Sequence, residues 1–133
     1  MSERVPIVLE LPADPRFLLV ARSVVAGAAA GLELPYDAVD DVRVAVNEAI
    51  SLLLTLPGRS TRIELVVHPD VDALRIHLST DGAVGSWATG EARILGGLAW
   101  RIITHLVDEA VAGTEDGRPS ISLMRRTLAS GSP

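Results

Sequence analysis

Apolar and polar residues follow two different periods along the chain, and the change of period separates helices from strands. Residues 40–54 place apolar side chains every three or four positions, which is the repeat of an amphipathic helix. Residues 61–67 and 74–78 alternate apolar and polar side chains, which predicts a β-hairpin with one buried face. The predicted apolar face of the helix consists of Val39, Val42, Val46, Ala49, Ile50 and Leu53. The chain therefore combines helices with antiparallel strands around an apolar core.

The other segments complete an α/β arrangement. In chain order they predict a strand at 7–11, a helix at 14–31, a loop at 79–91, a helix at 94–107 and a closing hairpin of 109–114 and 120–126. Asp14 and Pro15 suit the start of the first helix, and Gly31 suits the left-handed residue that ends it. This order predicts a two-layer α/β (α+β) sandwich with helices on one face of a mixed, mostly antiparallel sheet.

Composition narrows the class of protein. The 133 residues fit a single domain, 1–133, with flexible ends expected at 1–6 and 129–133. The chain has no cysteine, and no apolar run approaches the roughly 18 residues that span a bilayer, so we expect a cytoplasmic protein without membrane contact. The net charge of −5 argues against direct nucleic-acid binding. All 12 cations are arginines, which excludes a lysine-dependent phosphate loop.

Residues 46–52 (VNEAISL) carry a family resemblance. The segment resembles the N-box helix, V-x-E-A-x-x-N, of the anti-sigma factor serine/threonine kinases, which belong to the GHKL (Bergerat-fold, histidine kinase-like ATPase) superfamily. The resemblance covers residues 8–126 and implies the same order of elements. It gives Glu48 the role of general base, whereas Leu52 stands where the family has its Mg²⁺-binding asparagine. Read from the helix alone, Glu48 is a solvated carboxylate on the polar side.

Neighbouring residues do not replace the missing metal ligand. Ser51 and Asn47 point at least roughly 100° away from position 52 around the helix. The histidines and the remaining carboxylates lack metal-ligand spacing, so no metal site is predicted. We expect no bound cofactor, or Mg-ATP and Mg-ADP if the nucleotide site is functional.

Two further motifs of the family are present in altered form. Residues 79–85 (STDGAVG) align with the family's D-x-G-x-G, with Gly82 matched, Thr80 at the aspartate and Val84 at the second glycine. In the family that aspartate accepts a hydrogen bond from the adenine amino group. A shift of one residue would give Asp81 this role, and a simple turn at Asp81 and Gly82 is the alternative. Residues 94–100 contain Gly96 and Gly97, which suit either phosphate binding at a helix start or close packing of the helix.

The resemblance implies a regulator of transcription. Members of the family sequester a sigma factor and phosphorylate a STAS-type antagonist of the anti-sigma factor, and homodimerise through the sheet. With all three nucleotide motifs altered, we expect an anti-sigma regulatory factor whose nucleotide site is degenerate. The alternative is an active ATP-dependent protein serine kinase with unorthodox ligands, in which Asn47 or Asp81 takes over a role through a shifted register. The resemblance places Arg22 at the partner surface, where guanidinium suits carboxylate pairing, and an exposed arginine without a role is the other interpretation.

Overall fold

A computed structural model describes residues 5–56, 60–82 and 97–127. Its elements are β1 (Ile7–Pro12), a 3-10 turn (Pro15–Phe17), α1 (Leu18–Gly31), α2 (Tyr36–Leu54), β2 (Arg62–Pro69), β3 (Ala73–Thr80), α3 (Leu98–Leu106), β4 (Glu109–Glu115) and β5 (Arg118–Arg126). The strands and helices follow the predicted order, and the two-layer α/β sandwich is confirmed.

The strands form one sheet in the order β1-β2-β3-β5-β4. Each of the four pairings is antiparallel, which sharpens the prediction of a mostly antiparallel sheet. A continuous row, Leu9, Leu65, Leu78, Ile121 and Ala112, crosses all five strands through successive register pairs. Its three central side chains are fully buried, as alternation along β2 and β3 predicts. One face of the sheet is therefore apolar and lies under the helices.

Helices α1 and α2 pack against each other through small side chains. In α1 the fully buried residues are Ala21, Val25 and Ala29, a repeat of four that forms a narrow stripe. The predicted apolar face of α2 is confirmed for Val42, Val46, Ala49, Ile50 and Leu53, and the structure adds Ala38 and Ala45. Alanine is therefore common among the buried side chains of both helices, which contact each other.

The first helix begins and ends differently from the prediction. The Asp14 carboxylate accepts the Arg16 backbone N–H at 2.9 Å, but it caps the 3-10 turn, and α1 begins only at Leu18. Gly31 is not the left-handed residue, because that conformation belongs to Glu33, with φ of 60°. Two bonds, from Leu34 N to the Ala29 carbonyl and from Glu33 N to the Ala30 carbonyl, form a Schellman motif.

The physical reason for this ending is the burial of Leu34. That side chain is only 7% exposed, and the motif turns the chain so that Leu34 enters the core two residues after the helical bonds end. Burial of a leucine contributes about 2 kcal/mol, which exceeds the roughly 1 kcal/mol cost of a left-handed non-glycine residue.

The boundaries in the second half also shift. Ser79 and Thr80 were predicted as loop, but they belong to β3, where they pair with Glu64 and Ile63. The third helix begins at Leu98 instead of residue 94, because Gly97 has an extended backbone. Residues 83–91 of the predicted loop and 94–96 of the predicted helix lie outside the described residues. The predicted closing hairpin is present.

Candidate functional site

Helix α2 carries Glu48, Ser51 and Leu52, which are all half-buried. No hydrogen bond or ion pair joins the Glu48 carboxylate to another residue in the described ranges. The Leu52 side chain packs against the apolar core, so it contributes neither a donor nor an acceptor. Glu48 is thus available for proton transfer or binding, while the position of the family's metal ligand is part of the hydrophobic packing.

Thr80 ends β3 as one of the few buried polar residues. It is 3% exposed, and its hydroxyl donates to the Ser60 hydroxyl oxygen at 2.5 Å. The same Thr80 oxygen accepts a long hydrogen bond, 3.4 Å, from the Gly82 backbone N–H. These bonds satisfy the hydroxyl within the protein, as burial of a polar group requires.

Asp81 holds the end of β3 against the start of β2. Its Oδ1 accepts the backbone N–H groups of Thr61 at 2.9 Å and Arg62 at 3.1 Å, and its Oδ2 accepts the Thr61 hydroxyl. Burial raises the pKa of Asp81, but the hydrogen bonds from Thr61 and Arg62 outweigh burial and lower the pKa to about 2. Asp81 is therefore ionised and has a structural role. If the family motif is aligned one residue later, the carboxylate that would contact adenine already accepts two backbone N–H groups.

The glycines of the third motif are only partly described. Gly97 immediately precedes α3, with φ of −83° and ψ of 166°, a conformation that any residue adopts. Its position at the start of a helix agrees with either phosphate binding or packing, the two alternatives left by the sequence. Gly96 and Val84 lie outside the described residues.

The face of α2 that meets α1 lines a cavity of about 350 Å³ that the sequence does not reveal. We call it the α1/α2 groove, and its lining residues are Leu19, Arg22, Ser23, Ala26, Arg43, Val44 and Asn47. In both helices these positions are spaced by three or four, so they share one face of each helix. The groove combines two guanidinium groups and an amide with aliphatic side chains, a composition suited to an anionic ligand with apolar parts.

Arg22 is the only lining residue that the sequence reasoning had selected. Arg43 was missed as a member of a site, and Asn47 was considered only as a substitute for the missing metal ligand, since each lies on the polar margin of α2. The available signal was their spacing: Arg43 and Asn47 are four residues apart, as are Arg22 and Ala26 on α1. That spacing identifies a face, but only the packing of α1 on α2 brings the faces together.

The open face of the sheet carries a second polar cluster around His77. The His77 ring contacts Ser122 Oγ through Nδ1 at 2.9 Å and Glu115 Oε1 through Nε2 at 3.1 Å. Register pairs continue this row from His77 through Val66 to Val8, and from Ser122 to Val111. Two of these valines are strongly exposed, Val8 at 56% and Val111 at 60%. This face is partly apolar and has no covering layer among the described residues.

The described residues contain neither a metal-ligand cluster nor a membrane-spanning helix. No group of three or more His, Asp or Glu side chains converges as a metal ion requires in the ranges 5–56, 60–82 and 97–127. Within the same part of the chain, no helix has both the length and the apolar content needed to cross a bilayer.

Comparison with known proteins identifies relatives of the chain, although no family profile matches it. The serine-protein kinase RsbW of Listeria innocua is 28% identical over 127 residues, a match covering 84% of this chain and 81% of the relative. The serine-protein kinase RsbW of Listeria monocytogenes is 26% identical over 129 residues, with the same shares covered. This chain is similar in sequence to the RsbW serine-protein kinases over most of its length. The resemblance to the anti-sigma factor kinase family, first seen in residues 46–52, is confirmed.

A solved structure supports the RsbW-like fold independently. The crystal structure of the RsbU and RsbW domains of Rv1364c from Mycobacterium tuberculosis matches with a TM-score of 0.66 at 17% identity. The match covers 93% of this chain but 33% of the solved chain, so this chain spans about a third of that protein. At this identity the likeness concerns the fold alone, and it extends across nearly all of this chain.

Proposed function

We propose that the chain is an anti-sigma regulatory factor that binds and sequesters a sigma factor, a STAS-type antagonist protein, or both in alternation, through a scaffold whose nucleotide site is degenerate. Such a regulator acts in the cytoplasm through protein contacts and needs no direct contact with nucleic acid. Homology to the RsbW serine-protein kinases supports the regulatory role. Because these relatives are named kinases, kinase activity is the alternative function. The state of the nucleotide site decides between a regulator without kinase activity and an active kinase.

One observation supports the degenerate-site proposal: the side chains at the motif positions pack against or hydrogen-bond to other residues of the same chain. Leu52 packs on the core, the Thr80 hydroxyl donates to Ser60, and Asp81 accepts the backbone of β2. Mg²⁺ prefers hard oxygen ligands, and Leu52 offers no oxygen in its side chain. These residues do not fit Mg-ATP, so we assign no catalytic step to them.

The alternative, an active ATP-dependent protein serine kinase acting on the antagonist, keeps one observation in its favour. The Glu48 carboxylate has no partner among the described residues and is half-exposed, as a general base needs to be. Under this alternative, Glu48 would take the proton from the attacking serine hydroxyl.

Calorimetry with Mg-ATP and Mg-ADP separates the two functions. We expect no binding in the micromolar range and no transfer of phosphate to an antagonist protein. Micromolar binding of either nucleotide contradicts the degenerate-site proposal. The regulatory role is tested by purification from the native host, identification of bound proteins by mass spectrometry, and reconstitution of the complex from pure components. We expect a complex with a sigma factor or a STAS-type antagonist to form without nucleotide, and its absence contradicts the regulatory role.

Arg22 is the residue we assign to the partner contact. It is half-buried on α1, and its buried Nε has no hydrogen-bond partner in the described structure. An unsatisfied buried donor is rare in native proteins, and a partner carboxylate would satisfy it once the Arg22 side chain changes rotamer and exposes Nε. In a titration with the reconstituted partner, Arg22→Glu should abolish binding, and unchanged affinity contradicts the assignment.

A homodimer formed through the open sheet face belongs to the same proposal. Its support is the row of exposed valines, Val8 and Val111, which leaves apolar surface in water. We expect Val111→Glu to shift the protein to monomers in analytical ultracentrifugation. Val71, which is 70% exposed in the turn between β2 and β3, provides the matched control, and Val71→Glu should leave the assembly unchanged. A monomeric wild-type protein contradicts this part of the proposal.

A further inference from the structure

The polar cluster on the open sheet face links a serine, a histidine and a glutamate in one hydrogen-bonded chain. His77 of β3 contacts Ser122 Oγ through Nδ1 at 2.9 Å and Glu115 Oε1 through Nε2 at 3.1 Å. A carboxylate only accepts hydrogen bonds, so a neutral His77 imidazole between these partners carries its proton on Nε2. The lone pair of Nδ1 then accepts the Ser122 hydroxyl. This is the arrangement of a nucleophile, a general base and a group that orients the base.

Sheet register brings the three side chains together. His77 and Ser122 are directly opposite each other where β3 pairs with β5. Glu115 lies on β4 two residues beyond Gly113, which is opposite Ser120. A Cβ at Gly113 would lie 3.9 Å from Ser120 Oγ, on the same open face. Because Gly113 has no side chain there, Glu115 reaches the His77 ring unobstructed by its own strand.

A cavity of about 310 Å³ opens beside the cluster, and His77 and Ser122 both line it. Its apolar wall includes Val111, which is 60% exposed, and the half-buried Met124. The volume is that of a site for a small organic molecule. The Ser122 hydroxyl therefore borders a space with room for the acyl group of a small ester.

A positive charge lies on the same side of the sheet. Arg75 also lines the cavity, and it precedes His77 by two residues on β3, so both side chains are on one face. Arg75 is opposite Met124, which makes it a diagonal neighbour of Ser122 at about 7 to 8 Å, within reach of a long side chain. Its Nη1 donates to the Asp70 carboxylate at 3.0 Å, which limits the motion of the guanidinium. A guanidinium here favours the negative charge that develops on a carbonyl oxygen under attack.

We propose that this cluster is a hydrolytic site for small carboxylic esters, with Ser122 as nucleophile, His77 as general base and Glu115 as the residue that positions His77. Ser122 Oγ attacks the carbonyl carbon while His77 Nδ1 takes the hydroxyl proton. The bond from that carbon to the alcohol oxygen breaks, and the alcohol leaves with the proton from His77. Water then adds to the acyl carbon and gives a proton to His77, which returns it to Ser122 as the acid departs.

The first probe is a fluorophosphonate, which reacts with an activated serine hydroxyl and releases fluoride. Mass spectrometry of the labelled full chain should locate the phosphonate on Ser122, and His77→Gln should prevent the labelling. Ser79→Ala is the matched control, because Ser79 is a half-buried serine on the same face of β3, and it should leave the labelling unchanged. No label on Ser122, or equal labelling of Ser79 and Ser122, overturns the proposal.

Hydrolysis of p-nitrophenyl butyrate then measures the reaction. We expect a burst of p-nitrophenol from formation of the acyl-serine, and Ser122→Ala should abolish it. His77→Gln should lower kcat/KM about 100-fold or more, as loss of a general base does. His105→Gln, on α3 outside the cavity, controls for catalysis by any imidazole and should have no effect. A burst that survives Ser122→Ala, or equal losses for the two histidine variants, overturns the proposal.

Glu115→Gln tests the positioning of His77. The Glu115 side chain is 62% exposed, so its contact with His77 has the strength of an exposed ion pair. We expect kcat to fall about threefold to fivefold with KM unchanged. Asp116→Asn, at the next position, is the control and should change neither constant. An unchanged kcat for Glu115→Gln overturns the role of Glu115. Circular dichroism and thermal melting establish that each variant is folded.

The homodimer proposed above would cover the same face, so the site is open in the monomer. Val8 lies on β1 outside the cavity, and Val8→Glu should keep or raise the activity per chain by opposing dimerisation. Loss of hydrolysis in Val8→Glu overturns the proposal. The activity goes beyond the proposed regulatory function. Complex formation with a sigma factor or antagonist needs no hydrolysis, so the failure of either proposal leaves the other standing.

Discussion

The two sides of helix α2 use their polar residues in opposite ways. Near the end of β3, on the nucleotide side, the Thr80 hydroxyl and the Asp81 carboxylate are bonded within the protein, and Leu52 packs on the core. In the α1/α2 groove, Arg22 has an unsatisfied buried donor, and Arg43 has only an exposed partner. Polar groups that retain unused bonding capacity are the ones available to ligands. The difference favours ligand binding in the groove and a structural role for the residues at the motif positions.

The largest effect expected from this comparison follows from Asp81→Ala. Removal of the carboxylate leaves the backbone N–H groups of Thr61 and Arg62 without their acceptor, so the free energy of unfolding should fall by about 3 kcal/mol. Urea denaturation at neutral pH measures the change. Asp81→Asn, which keeps one acceptor oxygen, should lose less. A loss below about 0.5 kcal/mol for Asp81→Ala would show that these bonds are not structural.

Lowering the pH should reveal the contribution of the Asp81 carboxylate to the stability of the fold. The pKa of Asp81 is about 2 in the folded protein against an ordinary 3.8, so its contribution to stability is fully present above pH 3.8 and is lost as the pH falls through 2. The contribution amounts to about 2 kcal/mol. We expect the urea midpoints of wild type and Asp81→Asn to converge between about pH 4 and about pH 2. Parallel midpoints across this range contradict the lowered pKa.

Leu52→Asn restores the family's metal ligand and tests whether a single residue disables the site. We expect a loss of about 1 to 2 kcal/mol in the free energy of unfolding, because Leu52 packs on the core. Calorimetry should still detect no micromolar Mg-ATP binding, since Thr80 and Asp81 remain engaged. Leu54→Asn, also at a partly buried apolar position, serves as the control for stability. Nucleotide binding by Leu52→Asn alone would confine the degeneracy to one position.

Glu48→Gln should have the smallest effect. The carboxylate has no described partner, so the free energy of unfolding should change by less than about 0.5 kcal/mol. Partner affinity, measured with the reconstituted complex, should be unchanged. If the wild type transfers phosphate to an antagonist and Glu48→Gln does not, the kinase alternative is correct, and the nucleotide side of α2 is catalytic after all.

Residue periodicity predicts the parts of the molecule where one face is buried. The alternation of Ile63, Leu65 and Val67 and the helical repeat of Val42 and Val46 correspond directly to burial, so these elements were found correctly. Chain reversals were harder to predict. The sequence favoured Gly31 as the left-handed residue on conformational grounds, whereas the burial of Leu34, a tertiary effect, selects Glu33.

The candidate site was less predictable because its bonds are tertiary. The partners of Thr80 and Asp81, Ser60 and Thr61, become neighbours only when β3 pairs with β2. The groove likewise depends on the packing of two helices, so Arg43 carries no signal of its own in the sequence. Arg22 was found through family resemblance alone, and its unsatisfied Nε is visible only in the folded chain.

The strand order β1-β2-β3-β5-β4 has a consequence for how other chains can attach. It leaves β1 and β4 as the two edge strands of the described sheet, where backbone groups can recruit an additional strand. Proline closes β1 at Pro12, which donates no N–H, while Glu109 and Glu115 place negative charges at both ends of β4. These features oppose the addition of a strand and therefore edge-to-edge aggregation. We expect a partner protein to contact side-chain surfaces instead of the sheet edges.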